Sequence, residues 1–302
     1  MRRMTVTGSE TNRVDEQLGF DGMPRRLYSC TPSRVGAWLD CPRRYRMAYL
    51  DRPMPPKGPP WAHNSLGASV HNALAAWWRL PREKRTPEAA GTLLDAGWIS
   101  EGFRDDEQSM VWRTRAHDMV VQYVATLDRA DEPLGVERTV GTTTDTLALS
   151  GRVDRLDERV SGDGTELVVV DYKTGRHVCS EDDARGSLAL AVYAAAAERT
   201  LRKPCHRVEL HHIPTGTVAA FEHTDESLAR QIGRVELAAS ESRGADERHR
   251  AGLTAHEVET VFPPTPSSLC GWCDFRRHCP EGRAAAPERQ PWGGLADAFD
   301  AV

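Results

Sequence analysis

No stretch of the 302 residues approaches the roughly 18 consecutive apolar residues that a membrane helix needs. The first residues, Met1-Arg2-Arg3-Met4 and the polar run after them, lack the apolar segment of a secretory leader, so a cytoplasmic protein without a membrane partner is expected. Positive charge is not in excess: 39 Lys and Arg against 44 Asp and Glu leave a formal net charge of −5. Nothing therefore draws the whole molecule to a polyanion, and any such binding must rest on local basic patches. A Gly-x-x-x-x-Gly-Lys-Ser/Thr loop is also missing, which excludes a motor built on that motif within this chain. Cysteine is sparse, and seven cysteines in a cytoplasmic chain point away from a disulfide framework.

What is present is the composition of an ordinary globular protein, 27% charged and 39% hydrophobic, long enough to bury a sizeable core. Residues 1–27 are polar and without hydrophobic period, and read as a disordered segment. Ser33 is a candidate cap for a helix carrying Val35, Trp38 and Leu39 and running on through Tyr45 and Tyr49. Arg43 and Arg44 load that helix with positive charge beside aromatics, suited to phosphates and stacked bases; a solvated basic face is the alternative. Pro53 to Pro60 is a loop, and a helix follows with Leu66, Val70, Leu74 and Trp77 near helical spacing and His71 one position round from that stripe. A further helix is expected over 109–127.

The strands come next. Leu134 to Val140 reads as the first, with Glu137 a weak candidate site residue or else a surface charge. Thr146 to Asp157 reads as the second, 158–164 as a hairpin turn, and Leu167-Val168-Val169-Val170 as a buried strand running into Asp171-Tyr172-Lys173-Thr174-Gly175. Alternation puts Asp171 and Lys173 on one face, and hairpin pairing brings Asp154 of Gly151-Arg152-Val153-Asp154 beside them. Two carboxylates and an ammonium at a strand end form either a hard-cation site with an adjacent positive charge or a plain salt bridge. Beyond them lie an alanine-rich helix over 184–199, a second hairpin from Cys205–Ile213 and Thr217–Glu222, and a helix over 228–241. Helices, then strands with an intervening helix, imply an α/β fold with a mixed sheet flanked by helices.

Cys270-x2-Cys273-x5-Cys279 supplies three closely spaced thiols near the C-terminus, and Cys41, before Pro42, is the best fourth. Four thiolates suit a 4Fe-4S cluster or a zinc ion equally well. Cys30, Cys179 and Cys205 read as free thiols. Residues 283–302 form a flexible polar tail in which Trp292, Leu295 and Phe299 make an isolated apolar set, able to dock on the body or on a partner.

Gly-x-x-Asp, an apolar run and Asp-Tyr-Lys-Thr-Gly in this order resemble the RecB-family exonucleases of the PD-(D/E)xK nuclease superfamily, in the branch that carries an iron-sulfur cluster. The resemblance covers residues 28–282. It implies a restriction-endonuclease-like core, Mg²⁺ or Mn²⁺ held by His71, Asp154 and Asp171, catalysis by Asp154, Asp171 and Lys173, and a 4Fe-4S cluster on Cys41, Cys270, Cys273 and Cys279. It further implies a DNA substrate, single-stranded ends for preference, a role in repair or recombination, and room for a helicase partner. His71 closes the family's Gly-x-x-x-His pattern, begun by Gly67. Tyr193 matches the tyrosine of Gln-x-x-x-Tyr, but Ala189 stands at the glutamine position, which puts that substrate contact in doubt. A cluster-bearing DNA-binding module with a weakened site, or a zinc-stapled structural protein, are the readings that compete with a nuclease.

Overall fold

The computed structural model describes residues 27–295 except 162–163. The 1–27 segment therefore lies, but for its last residue, outside the described residues, as does Phe299. In chain order the elements are β1 (Tyr28–Cys30), α1 (Pro32–Asp40), α2 (Pro42–Tyr49), α3 (Ala62–Trp78), α4 (Pro87–Ala96), α5 (Asp106–Ala125), β2 (Gly135–Thr143), β3 (Leu147–Ser161) and β4 (Gly164–Lys173). They continue as α6 (Glu181–Gly186), α7 (Leu188–Leu201), β5 (Arg207–His212), β6 (Thr217–Glu222), α8 (Asp225–Ala251), α9 (Ala255–Val261) and α10 (Pro280–Ala285). No helix among the described residues is long and apolar enough to cross a membrane.

The six strands form one mixed sheet. β3 is antiparallel to β2 and β4 and parallel to β1; β4 is parallel to β5, which turns back antiparallel as β6. Val168 and Val170 of β4 face Leu74, Trp77 and Val120 of the α3 to α5 layer, while Leu167 and Val169 face Leu190, Ala191 and Ala194 of α7. The expected α/β arrangement with helices on both faces is what the chain adopts.

Several boundaries differ from the sequence reading. Thr31, not Ser33, caps α1, accepting from the Arg34 N–H at 3.3 Å, and Pro32 follows it at a position where its missing N–H costs nothing. The single helix expected from Ser33 to Tyr49 is two, parted at Cys41, whose extended backbone (φ −167°) ends α1 and starts α2 ahead of Pro42. The helix expected over 184–199 is likewise split at Ser187, whose hydroxyl caps α7. Residues 158–161 are not a turn: they pair with 164–167, so β3 runs on to Ser161; residues 162–163 of the expected turn lie outside the described residues. The helix expected over 228–241 extends to Ala251.

The C-terminal segment is tied down as far as it is described. The Pro291 carbonyl accepts from the Ala62 N–H at 3.0 Å, and Leu295 and Trp292 join the core under α3, so this apolar set docks on the body, one of the two readings open for it.

Candidate active site

β3 carries the site because its partners change there. β1 pairs with Leu147–Leu149 and β4 with Arg155–Ser161 on one edge, so residues 150–154 have no ladder partner between them. On the other edge the β2 ladder runs from Gly135↔Leu156 to Thr143↔Ala148 but skips the Glu137↔Asp154 position. Glu137 sits there with φ +52°, the left-handed region that a non-glycine residue enters at a cost. The opening turns the Glu137 and Asp154 carboxylates toward each other, and the Tyr172 N–H donates to Asp154 Oδ2 at 2.8 Å in place of a ladder bond.

Helix α3 brings in the imidazole. Gly67 and His71 are four residues apart on one face, and a Cβ at Gly67 would lie 3.2 Å from the Thr174 hydroxyl, so the glycine lets α3 close on the end of β4. His71 Nε2 then meets the Tyr172 carbonyl at 3.1 Å and Nδ1 faces Asp154 Oδ2 at 3.4 Å. A carbonyl only accepts, so Nε2 carries the proton and Nδ1 is the nitrogen available to a metal. His71, Glu137 and Asp154 each offer one ligand atom, all within 4.8 Å of one another. The expected triple was His71, Asp154 and Asp171. Asp171 stands just outside the observed one, its Oδ2 2.5 Å from Lys173 Nζ on the same face of β4.

The electrostatics are those of a site short of positive charge. Burial pushes the Asp171 carboxyl above the usual carboxylate range and Asp154 adds to this, with Lys173 only partly offsetting them. Burial alone would lower the His71 pKa, but Asp154, Asp171 and Glu137 outweigh it and raise it. Lys173 is held protonated in the same way, its burial outweighed by Asp171. A divalent cation would relieve the crowded carboxylates, and a set of oxygens with one imidazole suits Mg²⁺ or Mn²⁺. The residues thus fit the ion.

A pH dependence follows from this. The His71 proton contributes stability to the metal-free protein below its ordinary value of about 6.5 and loses it as pH rises through the raised value. Mn²⁺ must displace that proton, so its thermal stabilisation is expected to be larger at about pH 8 than at about pH 6. In His71→Ala that difference should largely vanish. Equal melting shifts at the two pH values in the wild-type protein would count against His71 as a ligand.

Tyr193 of α7 covers the same site. A Cβ on Gly151 would lie 2.2 Å from Tyr193 Cε1, so only glycine lets the ring lie across β3. Burial, then Asp171 and Asp154, push its hydroxyl pKa up to about 12, with Arg152 opposing, so it stays a neutral donor. Below the sheet the Tyr172 hydroxyl accepts from Trp78 Nε1 at 3.2 Å, which anchors the residue whose main chain holds both Asp154 and His71. Counting outward from the turn at Asp145 aligns Glu137 with Asp154, a signal that would have strengthened it as a site residue.

The four cluster candidates also meet. Cys41, Cys270, Cys273 and Cys279 line one cavity of about 280 Å³, although among the described residues no three of their sulfurs lie within 4.8 Å of one another. Backbone N–H groups already point at two of them: Gly282 to Cys279 Sγ at 3.3 Å and Ser267 to Cys270 Sγ at 3.4 Å. Arg43 is a correction. Instead of lying on an open basic face it is buried, donates to Cys279 Sγ at 3.5 Å and is paired with Glu259 and Glu281; Arg44 is exposed and pairs with Asp40 at 3.2 Å. Cys30 and Cys205 are buried elsewhere, and Cys179 is half-buried.

This fold and this arrangement of carboxylates, imidazole and lysine make a candidate site that a divalent ion would fit. The model of the PD-(D/E)XK nuclease superfamily matches residues 29–280, and the chain belongs to that superfamily. A crystal structure of a "Putative exonuclease" from Eubacterium rectale is similar at 12% identity, with a TM-score of 0.46 over 82% of this chain and 86% of that one. No curated protein matches the sequence.

Proposed function

We propose that the protein is a Mg²⁺- or Mn²⁺-dependent DNA nuclease of the RecB-family, iron-sulfur type, cutting single-stranded ends in repair or recombination. The observation that carries the nuclease reading is the break in the β3 ladders at Asp154, where Glu137, His71 and Asp154 converge beside the Asp171–Lys173 pair. A divalent ion held there supplies charge neutralisation at the scissile phosphate and lowers the pKa of a water. His71, Asp154, Glu137 and Asp171 would hold it. Lys173, kept as an ammonium by Asp171, faces the phosphate as a compact positive charge and hydrogen-bond donor. Tyr193 donates from the opposite side, and Ala189 leaves it without the amide neighbour of its relatives.

For the cysteines we favour the 4Fe-4S cluster over zinc. The shared cavity and the N–H groups aimed at Cys270 and Cys279 suit thiolate ligands, and the resemblance to the cluster-bearing nucleases is what favours iron and sulfur over zinc.

The test is a labelled single-stranded oligonucleotide incubated with the protein and Mg²⁺ or Mn²⁺, with and without chelator. Metal-dependent shortening is expected, and Lys173→Ala should slow it by about 10² to 10³. Binding without cutting in either metal would favour a DNA-binding module instead.

A further inference from the structure

Arg152 is a cation beside the site that the proposed reaction has not used. It precedes Asp154 by two residues on β3 and leaves the same face. Its guanidinium is 70% exposed and pairs with Glu137 at 2.8 Å, and Glu137 is 18% exposed and one of the three convergent ligands. Arg152 also lies within electrostatic reach of Tyr193. One carboxylate therefore serves two positive charges: the arginine fork now, and the divalent ion when it binds.

We propose that Arg152 is a substrate-positioning residue that metal binding releases: once an ion takes the Glu137 carboxylate, the guanidinium turns from Glu137 to a phosphate oxygen of the DNA strand. This rests on the nuclease reading and adds to it an order of events. An exposed arginine has both the reach and the planar fork for phosphate, which the lysine across the site lacks. Its partner is held in a left-handed backbone conformation on a broken ladder, so Glu137 stays at the metal position while the arginine moves. The Ala189 departure gives this a purpose: with no amide on α7, a contact from β3 takes over part of strand positioning. Arg152 and the ion compete for Glu137, so the coupling must be reciprocal. Removing the arginine should weaken DNA binding chiefly when metal is present, and should tighten metal binding.

The experiment uses the full chain and two readouts that do not depend on turnover. Anisotropy of a labelled single-stranded oligonucleotide is measured in Ca²⁺ and in EDTA, and Mn²⁺ binding by the loss of its free-ion electron paramagnetic resonance signal. Arg152→Gln is expected to weaken DNA binding roughly tenfold in Ca²⁺ and by less than about threefold in EDTA, with Arg152→Lys in between. The same Arg152→Gln variant should bind Mn²⁺ about fivefold more tightly, and Glu137→Gln more weakly. A loss of DNA affinity equal in Ca²⁺ and EDTA, no loss at all, or unchanged or weaker Mn²⁺ binding by Arg152→Gln overturns the proposal and leaves the nuclease reading standing. Wild-type protein that binds neither Mn²⁺ nor the oligonucleotide overturns both.

Discussion

Asp171→Asn is expected to lower metal-dependent cleavage by about 10² to 10³ and, in the same protein, to raise the melting temperature measured without divalent ions. The two effects share a cause. A buried carboxylate beside a second one is costly, and its pKa is raised even with the Lys173 ammonium 2.5 Å away, so the ion pair does not offset the burial. The sign follows from linkage. The folded state binds the Asp171 proton more tightly than the unfolded chain does, so this group favours folding at low pH and loses that contribution as pH rises through the raised value. At neutral pH the metal-free wild type therefore carries a penalty that asparagine removes, whereas under acid conditions the two proteins should melt alike. Adding Mn²⁺ should reverse the order, because wild type gains more from the ion than the variant does. Cleavage by Asp171→Asn at the wild-type rate would mean that the chemistry lies elsewhere. A lower melting temperature at neutral pH without metal would mean that Asp171 is a structural ion pair.

Protein purified without oxygen is expected to be brown, with about four irons per chain, and Cys41→Ser should lose the iron and much of its resistance to heat together. Cys41 is the joint between α1 and α2, while Cys270 and Cys273 lie in a short turn and Cys279 caps α10, all more than 200 residues later. Removing the joint should therefore loosen the docking of the two ends. Other bonds also join them: the Gly58 N–H donates to the Asp274 carbonyl at 2.8 Å, and Trp61 Nε1 to Asp274 Oδ1 at 2.8 Å. The sheet should thus survive, and the loss of stability should fall short of complete unfolding. Cys30→Ser is the control: Cys30 is buried against Val35 and Leu149, away from the cavity, and its replacement should leave iron content unchanged. One zinc per chain and a colourless preparation would exclude the cluster while keeping the four ligands.

The elements whose pattern is local were legible. Leu167 to Val170 reads as a buried strand because four apolar residues in a row suit a strand covered on both faces, and all four are fully buried. The two-residue repeat places Asp171 and Lys173 together without knowledge of any neighbour. The cysteine spacing likewise groups Cys270, Cys273 and Cys279, which line one cavity with Cys41. Elements defined by a cap were read less well: periodicity continues through Cys41 and Ser187, but an extended backbone there ends one helix and begins another, and a side chain's choice of capping partner is not a periodic signal.

What the sequence alone determined about this protein is the set of chemical groups, their order, and the face of the strand or helix on which each one lies. The tertiary structure decided which of them meet. Glu137 and Arg152 come together beside Asp154 because β2 and β3 pair in a register that breaks there. His71 reaches the end of β4 because α3 packs there at Gly67, and Arg43 is turned away from solvent because Glu259 and Glu281, more than 200 residues away, claim its guanidinium. The physical reason is range: backbone sterics and side-chain alternation act over a few residues and are written in adjacent letters. Charge pairing and ligand convergence depend on distances in space, which chain order does not encode until the sheet has formed.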